Sequence, residues 1–176
     1  MNTSVLTTAE PHDLRTQIRT VEELIKENAF DRAADACHQA IKSMPNSPDI
    51  FRLLGLVQEH QGHLNAQIES YREAIRLNSF QPSWVYLVLG QRLQNQGHWE
   101  EAITVYRQPI QIYADSAEAY RWLGFCLERQ GDELGEIESY EKAIALDAKD
   151  QPIWVFTTLV SLLSKHGQYD RANAVY

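Results

Sequence analysis

The sequence predicts an all-α fold, a solenoid of stacked helix–turn–helix repeats. Three observations lead there. Seven of the eight glycines fall into two phases: Gly55, Gly90 and Gly124 are 35 and 34 residues apart, and Gly62, Gly97, Gly131 and Gly167 are 35, 34 and 36 apart. Tyr71, Tyr106, Tyr140 and Tyr176 keep the same beat. An aromatic residue and a leucine precede each glycine of the first phase, as Phe51-x-x-Leu54-Gly55, Tyr86-x-x-Leu89-Gly90 and Tyr120-x-x-Leu123-Gly124. A period of this length belongs to a repeat that cannot bury its own apolar face and does so against the next copy.

Each repeat divides into two helices. In AEAYRWLGFCLERQGD (117–132), Tyr120, Leu123 and Leu127 recur at i, i+3 and i+7, an apolar helical stripe. Gly124 stands inside that helix, where glycine costs about 1 kcal/mol against alanine. Such a cost, repeated at one phase, implies close approach of a neighbouring helix. Gly131 then ends the helix, as glycine does at a left-handed C′ position. In GEIESYEKAIAL (135–146), Ile137, Tyr140 and Ile144 share a stripe with Ala143 beside them, which predicts a second helix. Pro45, Pro48, Pro82 and Pro152 fall between repeats, where proline ends one helix or opens the next. Ser47 before Pro48 reads as an N-cap. One extra residue before Ser83 and two near Asp150-Gln151 lengthen the turns between repeats.

At these positions the chain resembles the tetratricopeptide repeat, a 34-residue helix–turn–helix with an aromatic, Leu-Gly, Ala, aromatic, Ala, Pro pattern. The resemblance divides the chain into repeats at 14–47, 48–82, 83–116, 117–152 and 153–176, leaving a leader, 1–13, expected to be flexible. The first repeat matches in its second helix, from Phe30 and Ala33 through Ala40 to Pro45. Its first helix carries Gln17, Thr20 and Val21 where the pattern has its aromatic and Leu-Gly, which fits a terminal repeat facing water. The last repeat stops at Tyr176, roughly two turns into a second helix. An edge left that way implies either a longer natural protein or a second copy covering it as a homo-oligomer.

Two departures from the pattern carry structural expectations. Pro109 takes the small-residue position of Ala40, Ala74 and Ala143. It removes the hydrogen bond to Val105 at a cost of about 3 kcal/mol, which predicts a kink or early unwinding there. The small residue at the contact between paired helices, Ala33, Ala102 and Ala172, becomes Gln67 and Glu136. The preceding Ala66 and Gly135 predict a slight helix rotation that brings them into the contact instead.

The resemblance also implies a right-handed superhelix whose concave face is lined by the first helix of each repeat. Carried onto this sequence, that groove presents Arg52 and Leu56, then Trp84, Leu87 and Gln91, then Arg121, Trp122 and Phe125 with Glu128 and Arg129, then Trp154, Thr157, Thr158 and Ser161. Aromatic anchors on a face not needed for packing are typical of protein-binding surfaces. Trp84 and Trp154 follow the lengthened turns and can equally fill gaps there. Some members of the family clamp a peptide carboxylate with Lys, Asn and Arg side chains. The matching positions here, Ile18, Glu22, Leu53, Trp84 and Val88, or one repeat later Arg52, Leu56, Val88, Glu118 and Trp122, cannot do so. A partly apolar helix or extended peptide is the expected ligand.

Composition narrows the function classes. Sixteen basic and 24 acidic residues give a net charge of −8, which disfavours nucleic acid and anionic membrane as partners. Residues 117–152 hold four basic and nine acidic groups, with Glu133, Glu136, Glu138 and Glu141 expected on a solvated convex side. No apolar run reaches the roughly 18 residues of a membrane helix, and MNTSVLTTAEPHD has no signal-peptide pattern, so a soluble, cytoplasmic protein is expected. Cys37 and Cys126 read as buried structural thiols. His60-x-x-His63 lacks the further ligands of a metal site, and the glycines are too dispersed for a phosphate loop. No cofactor, metal or catalytic residue is predicted. The leading reading is a non-catalytic scaffold binding a protein or peptide in a concave groove. Fusions common in the family leave a second reading: the N-terminal targeting or substrate-presenting arm of a larger bacterial enzyme, such as a glycosyltransferase, with the chemistry beyond Tyr176.

Overall fold

Left-handed backbone at one recurring position sets the helix boundaries. Gly62, Gly97, Gly131 and Gly167 have φ of 74°, 78°, 75° and 71°. The following N–H reaches back five residues in each case: His63 to Gln58 O at 2.9 Å, His98 to Leu93 O at 2.9 Å, Asp132 to Leu127 O at 3.1 Å and Gln168 to Leu163 O at 2.8 Å. This closure satisfies carbonyls that a helix end leaves open. Asn28 (φ 56°) takes the same role at the first turn, with Ala29 N–H bonded to Leu24 O at 2.9 Å.

A computed structural model describes residues 11–113 and 115–175. They form ten helices and, among the described residues, no strand. The chain divides into two compact units, Met1–Gln81 and Pro82–Tyr176. The first holds α1 (Pro11–Lys26), α2 (Phe30–Ser43), α3 (Pro48–His60) and α4 (Leu64–Leu77). Each helix packs on the next, and α1 also meets α3, around a core that includes Val21, Cys37, Ile50, Leu54 and Val57. The second unit holds α5 (Ser83–Asn95), α6 (Trp99–Ile112), α7 (Ala117–Gln130), α8 (Glu133–Leu146), α9 (Ile153–Lys165) and α10 (Tyr169–Asn173). Here too every helix packs on its successor, with α5 also against α7. Ile137, Tyr140, Val155, Leu159 and Leu163 form the core under α8 and α9. Most of the leader, 1–10, lies outside the described residues, as does Tyr176; residues 11–13 already belong to α1.

The in-helix glycines make room for a tyrosine. Tyr71, Tyr106 and Tyr140 are fully buried, each on the second helix of its hairpin. A Cβ on Gly90 would lie 2.5 Å from the Tyr106 ring, and one on Gly124 would lie 2.7 Å from the Tyr140 ring. The close approach expected from the sequence is therefore made by an aromatic ring.

That nesting overrules the rotation expected around Gln67 and Glu136. Both are buried, at 0% and 2% exposure, while Ala66 is exposed and Gly135 only half-buried. Glu136 lies four residues before Tyr140, on the same helix face. Turning α8 to expose Glu136 would lift the Tyr140 ring off Gly124. Glu136 is thus not on a solvated face: burial, reinforced by Glu128 and Glu133 and opposed by Lys165, pushes its carboxyl up to about 7.

The early unwinding expected at Pro109 does not occur. α6 runs without interruption to Ile112, three residues past Pro109, as α4 and α8 run three residues past Ala74 and Ala143. The proline lies in the last turn, so the ladder loses a single bond, and its ring fills the buried small-residue slot. Its carbonyl accepts the Tyr113 N–H at 2.6 Å. Ser47 does occupy the N-cap of α3 before Pro48, but its hydroxyl makes no capping bond. The lengthened turns are sealed by buried glutamines: Gln81 Nε2 donates to Ala74 O and Asn78 O, and Gln151 Nε2 donates to Asp147 O at 3.0 Å.

Candidate functional site

One face of α7 carries Trp122, Phe125 and Arg129 at i, i+3 and i+7, so the three side chains line up along the helix. Trp99, the first residue of α6, and Trp154, the second of α9, complete a connected cluster in the second unit. Phe125 is its centre. Its ring lies 6.0 Å from Trp122, 6.4 Å from Trp99 and 6.3 Å from Trp154, with interplanar angles of 88°, 61° and 72°. These are edge-to-face contacts, each worth about 0.5–1.5 kcal/mol beyond area burial. Trp154 continues the chain inward to buried Tyr140 at 5.8 Å. The Arg129 guanidinium stands 5.2 Å over Phe125 and 5.9 Å over Trp99.

All four members of the cluster are only half-buried, so an aromatic surface with a cationic edge faces outward. It is also pre-ordered. Trp122 Nε1 donates to Glu118 Oε1 at 3.2 Å, and Arg121 pairs with the same oxygen at 3.2 Å. Arg121 lies 5.3 Å over the Trp122 ring and donates to Gln151 Oε1 at 3.4 Å. Its side chain is 14% exposed, so it braces the cluster from behind. Beside Trp99 and Arg129 opens a cavity of about 500 Å³, with His98, Glu101 and Gln130 also on its walls. The arrangement offers shape, apolar area and one cation–π edge, and no nucleophile.

Of the residues expected in the groove, the structure gathers Arg121, Trp122, Phe125, Arg129 and Trp154 here. Thr158 follows Trp154 by one turn on α9 and is half-buried. Trp84 and Leu87 are half-buried and Gln91 exposed on α5 of the same unit. Arg52 and Leu56 lie half-buried on α3 in the first unit, Arg52 paired with Asp49 at 3.0 Å. Trp154 also packs against the core of the second unit, so it fills a gap and faces outward at once.

Sequence reasoning left Trp99 out, because only first helices were considered. The signal was there: the first residue of the second helix is Phe30, Leu64, Trp99, Glu133 and Tyr169 in successive hairpins. That residue reaches the end of the next first helix in three places. Phe30 stacks on His60 at 4.4 Å, Trp99 takes Arg129, and Glu133 pairs with Lys165.

Cys37 and Cys126 are buried, and desolvation pushes both thiols up to about 12. Among the described residues no three His, Cys, Asp or Glu side chains converge to hold a metal ion. No helix among them is long and apolar enough to cross a membrane.

Comparison with known proteins places this geometry. Residues 20–82 and 117–150 each match a family model described as tetratricopeptide repeat, and residues 90–131 match a third, described as TPR repeat. No curated protein matches the sequence. Among solved structures, MamA superposes with a TM-score of 0.73 at 24% identity, covering 88% of this chain and 89% of its own. YrrB, a TPR protein described as having an unusual peptide-binding site, gives 0.74 at 14% identity over 90% and 80%. PilF of Pseudomonas aeruginosa gives 0.65 at 22% identity over 92% and 72%. At these identities the likeness is one of fold, and the family models cover most of the repeating sequence: the chain belongs to the tetratricopeptide-repeat family.

Proposed function

We propose that this chain is a non-catalytic protein-interaction scaffold, and that its second unit holds a partly apolar peptide or helix of another protein against the cluster of Trp99, Trp122, Phe125 and Trp154. A single observation carries the reading: four aromatic rings, already packed edge to face and edged by Arg129, remain half-exposed. Rings held in place lose little freedom when a ligand arrives, so little of the binding energy goes into ordering them. Trp84, Leu87, Gln91 and Thr158 extend the same reading within the unit. The likeness of fold to YrrB agrees with a peptide ligand.

The test is selection of peptides from a random 12-residue library on the full chain, followed by affinity measurement on the Trp122→Ala variant. Selected peptides should share an aromatic or leucine residue and bind the variant at least tenfold more weakly, with helicity by circular dichroism unchanged. Peptides that bind both equally, or a variant that unfolds, overturn the assignment.

A further inference from the structure

Glu136 is in the wrong place for a carboxylate. Its position is that of Ala33, Ala102 and Ala172, the small residues at which paired helices touch. It is 2% exposed, and its Oε1 is withdrawn from solvent with no hydrogen-bond donor among the described residues. Tyr140, one turn further along α8, has a buried hydroxyl in the same state. In the preceding hairpin the corresponding Tyr106 hydroxyl donates to Gln94. The position of Gln94 is here taken by Glu128, which is exposed. A buried carboxylate without a donor is strongly disfavoured, and either a proton or a cation relieves it.

A cleft opens onto Glu136. It measures about 350 Å³, with Glu128, Glu133 and Glu136 on one side and Thr157, Thr158 and Ser161 of α9 on the other. Glu133 is already paired, with Lys165 and with His166. Glu128 and Glu136 have no ion pair among the described residues, so the cleft keeps an excess of negative charge. Its chemistry is carboxylate on one wall and hydroxyl on the other. Acceptors spread over α7, α8 and α9 suit the three diverging N–H bonds of an ammonium better than a guanidinium, whose flat fork calls for a matched pair of acceptors. Thr158 shares a face of α9 with Trp154, four residues earlier, so the cleft adjoins the aromatic cluster.

We infer that this cleft receives a lysine ammonium of the bound peptide, anchored by Glu136 and assisted by Glu128, Thr158 and Ser161. The inference rests on the peptide-binding reading for the source of the lysine, and it names that peptide's chemistry: an apolar residue with a lysine close by in sequence.

The cleft can be probed without any peptide. N-acetyl-lysine methylamide is titrated into the isotopically labelled full chain, with the norleucine and arginine analogues as controls, and backbone amide shifts are followed. The lysine probe should move Thr157, Thr158 and Ser161 saturably, and bind at least tenfold more tightly than either control. Glu136→Gln should weaken it at least tenfold. Glu136→Ala, which installs the residue found at Ala33, Ala102 and Ala172 and so keeps the fold, should do the same. Equal shifts with norleucine, equal affinity for arginine, or undiminished binding to both Glu136 variants overturns the inference. If the lysine probe binds as stated while no selected peptide depends on Trp122, the cleft stands and the aromatic reading falls.

Discussion

The ring of Tyr140 occupies the volume that a side chain on Gly124 would need. An ideal Cβ there would fall 2.7 Å from Cε1, well inside contact distance, and the ring is fully buried. Gly124→Ala should therefore destabilise the chain by about 2 kcal/mol, the overpacking penalty exceeding alanine's gain in helix propensity. Urea denaturation reads this directly. Combining it with Tyr140→Leu should cost less than the sum of the two single changes, because the first loses its clash.

The turn positions answer to a different cause. Gly131 has nothing within 4 Å of an added Cβ, so only its φ of 75° opposes a side chain. Asn28 holds the same conformation at 56° without being glycine. Asn28→Gly should leave stability within about 0.5 kcal/mol, whereas Asn28→Ala should cost about 1 kcal/mol, as seen in thermal melts.

Arg129 joins the two ends of the aromatic cluster. Arg129→Ala removes its contacts with Phe125 and Trp99, so it should lower stability by about 0.5–1 kcal/mol and change the environment of Trp99. Tryptophan fluorescence and chemical denaturation together check this.

Glu136 makes stability depend on pH in an unusual direction. Its carboxyl is pushed from 4.5 up to about 7 in the folded chain by burial, with Glu128 and Glu133 adding and Lys165 opposing. Between these two values the folded state keeps a proton that the unfolded state has released. Stability is thus highest below about pH 4.5 for this group and falls as pH rises towards 7, by about 3 kcal/mol. Glu136→Gln should remove that slope and make the chain more stable at neutral pH. The difference between the profiles of the two forms isolates Glu136.

The helices and their turns were legible because their causes are local. A left-handed turn asks for glycine, and a ring nested on a helix asks for glycine at one phase, so both periods stood out in the sequence. Asn28 escaped because a search for glycine overlooks the other residue that tolerates that conformation. Trp99 escaped because its contacts cross a turn to α7, and no stripe within α6 announces them. The burial of Glu136 could not be read from its own charge. What decides it is the neighbour four residues on, whose ring has to stay against Gly124.

The first residue of each second helix leaves a last consequence. One joint is an aromatic stack, Phe30 on His60; another is a cation over rings, Arg129 on Trp99; a third is an ion pair, Lys165 with Glu133. Added electrolyte screens the third strongly and the first hardly at all. A rise in ionic strength should therefore loosen the coupling of α8 to α9 while α2 and α3 stay locked, giving one chain hinges of graded sensitivity to its medium.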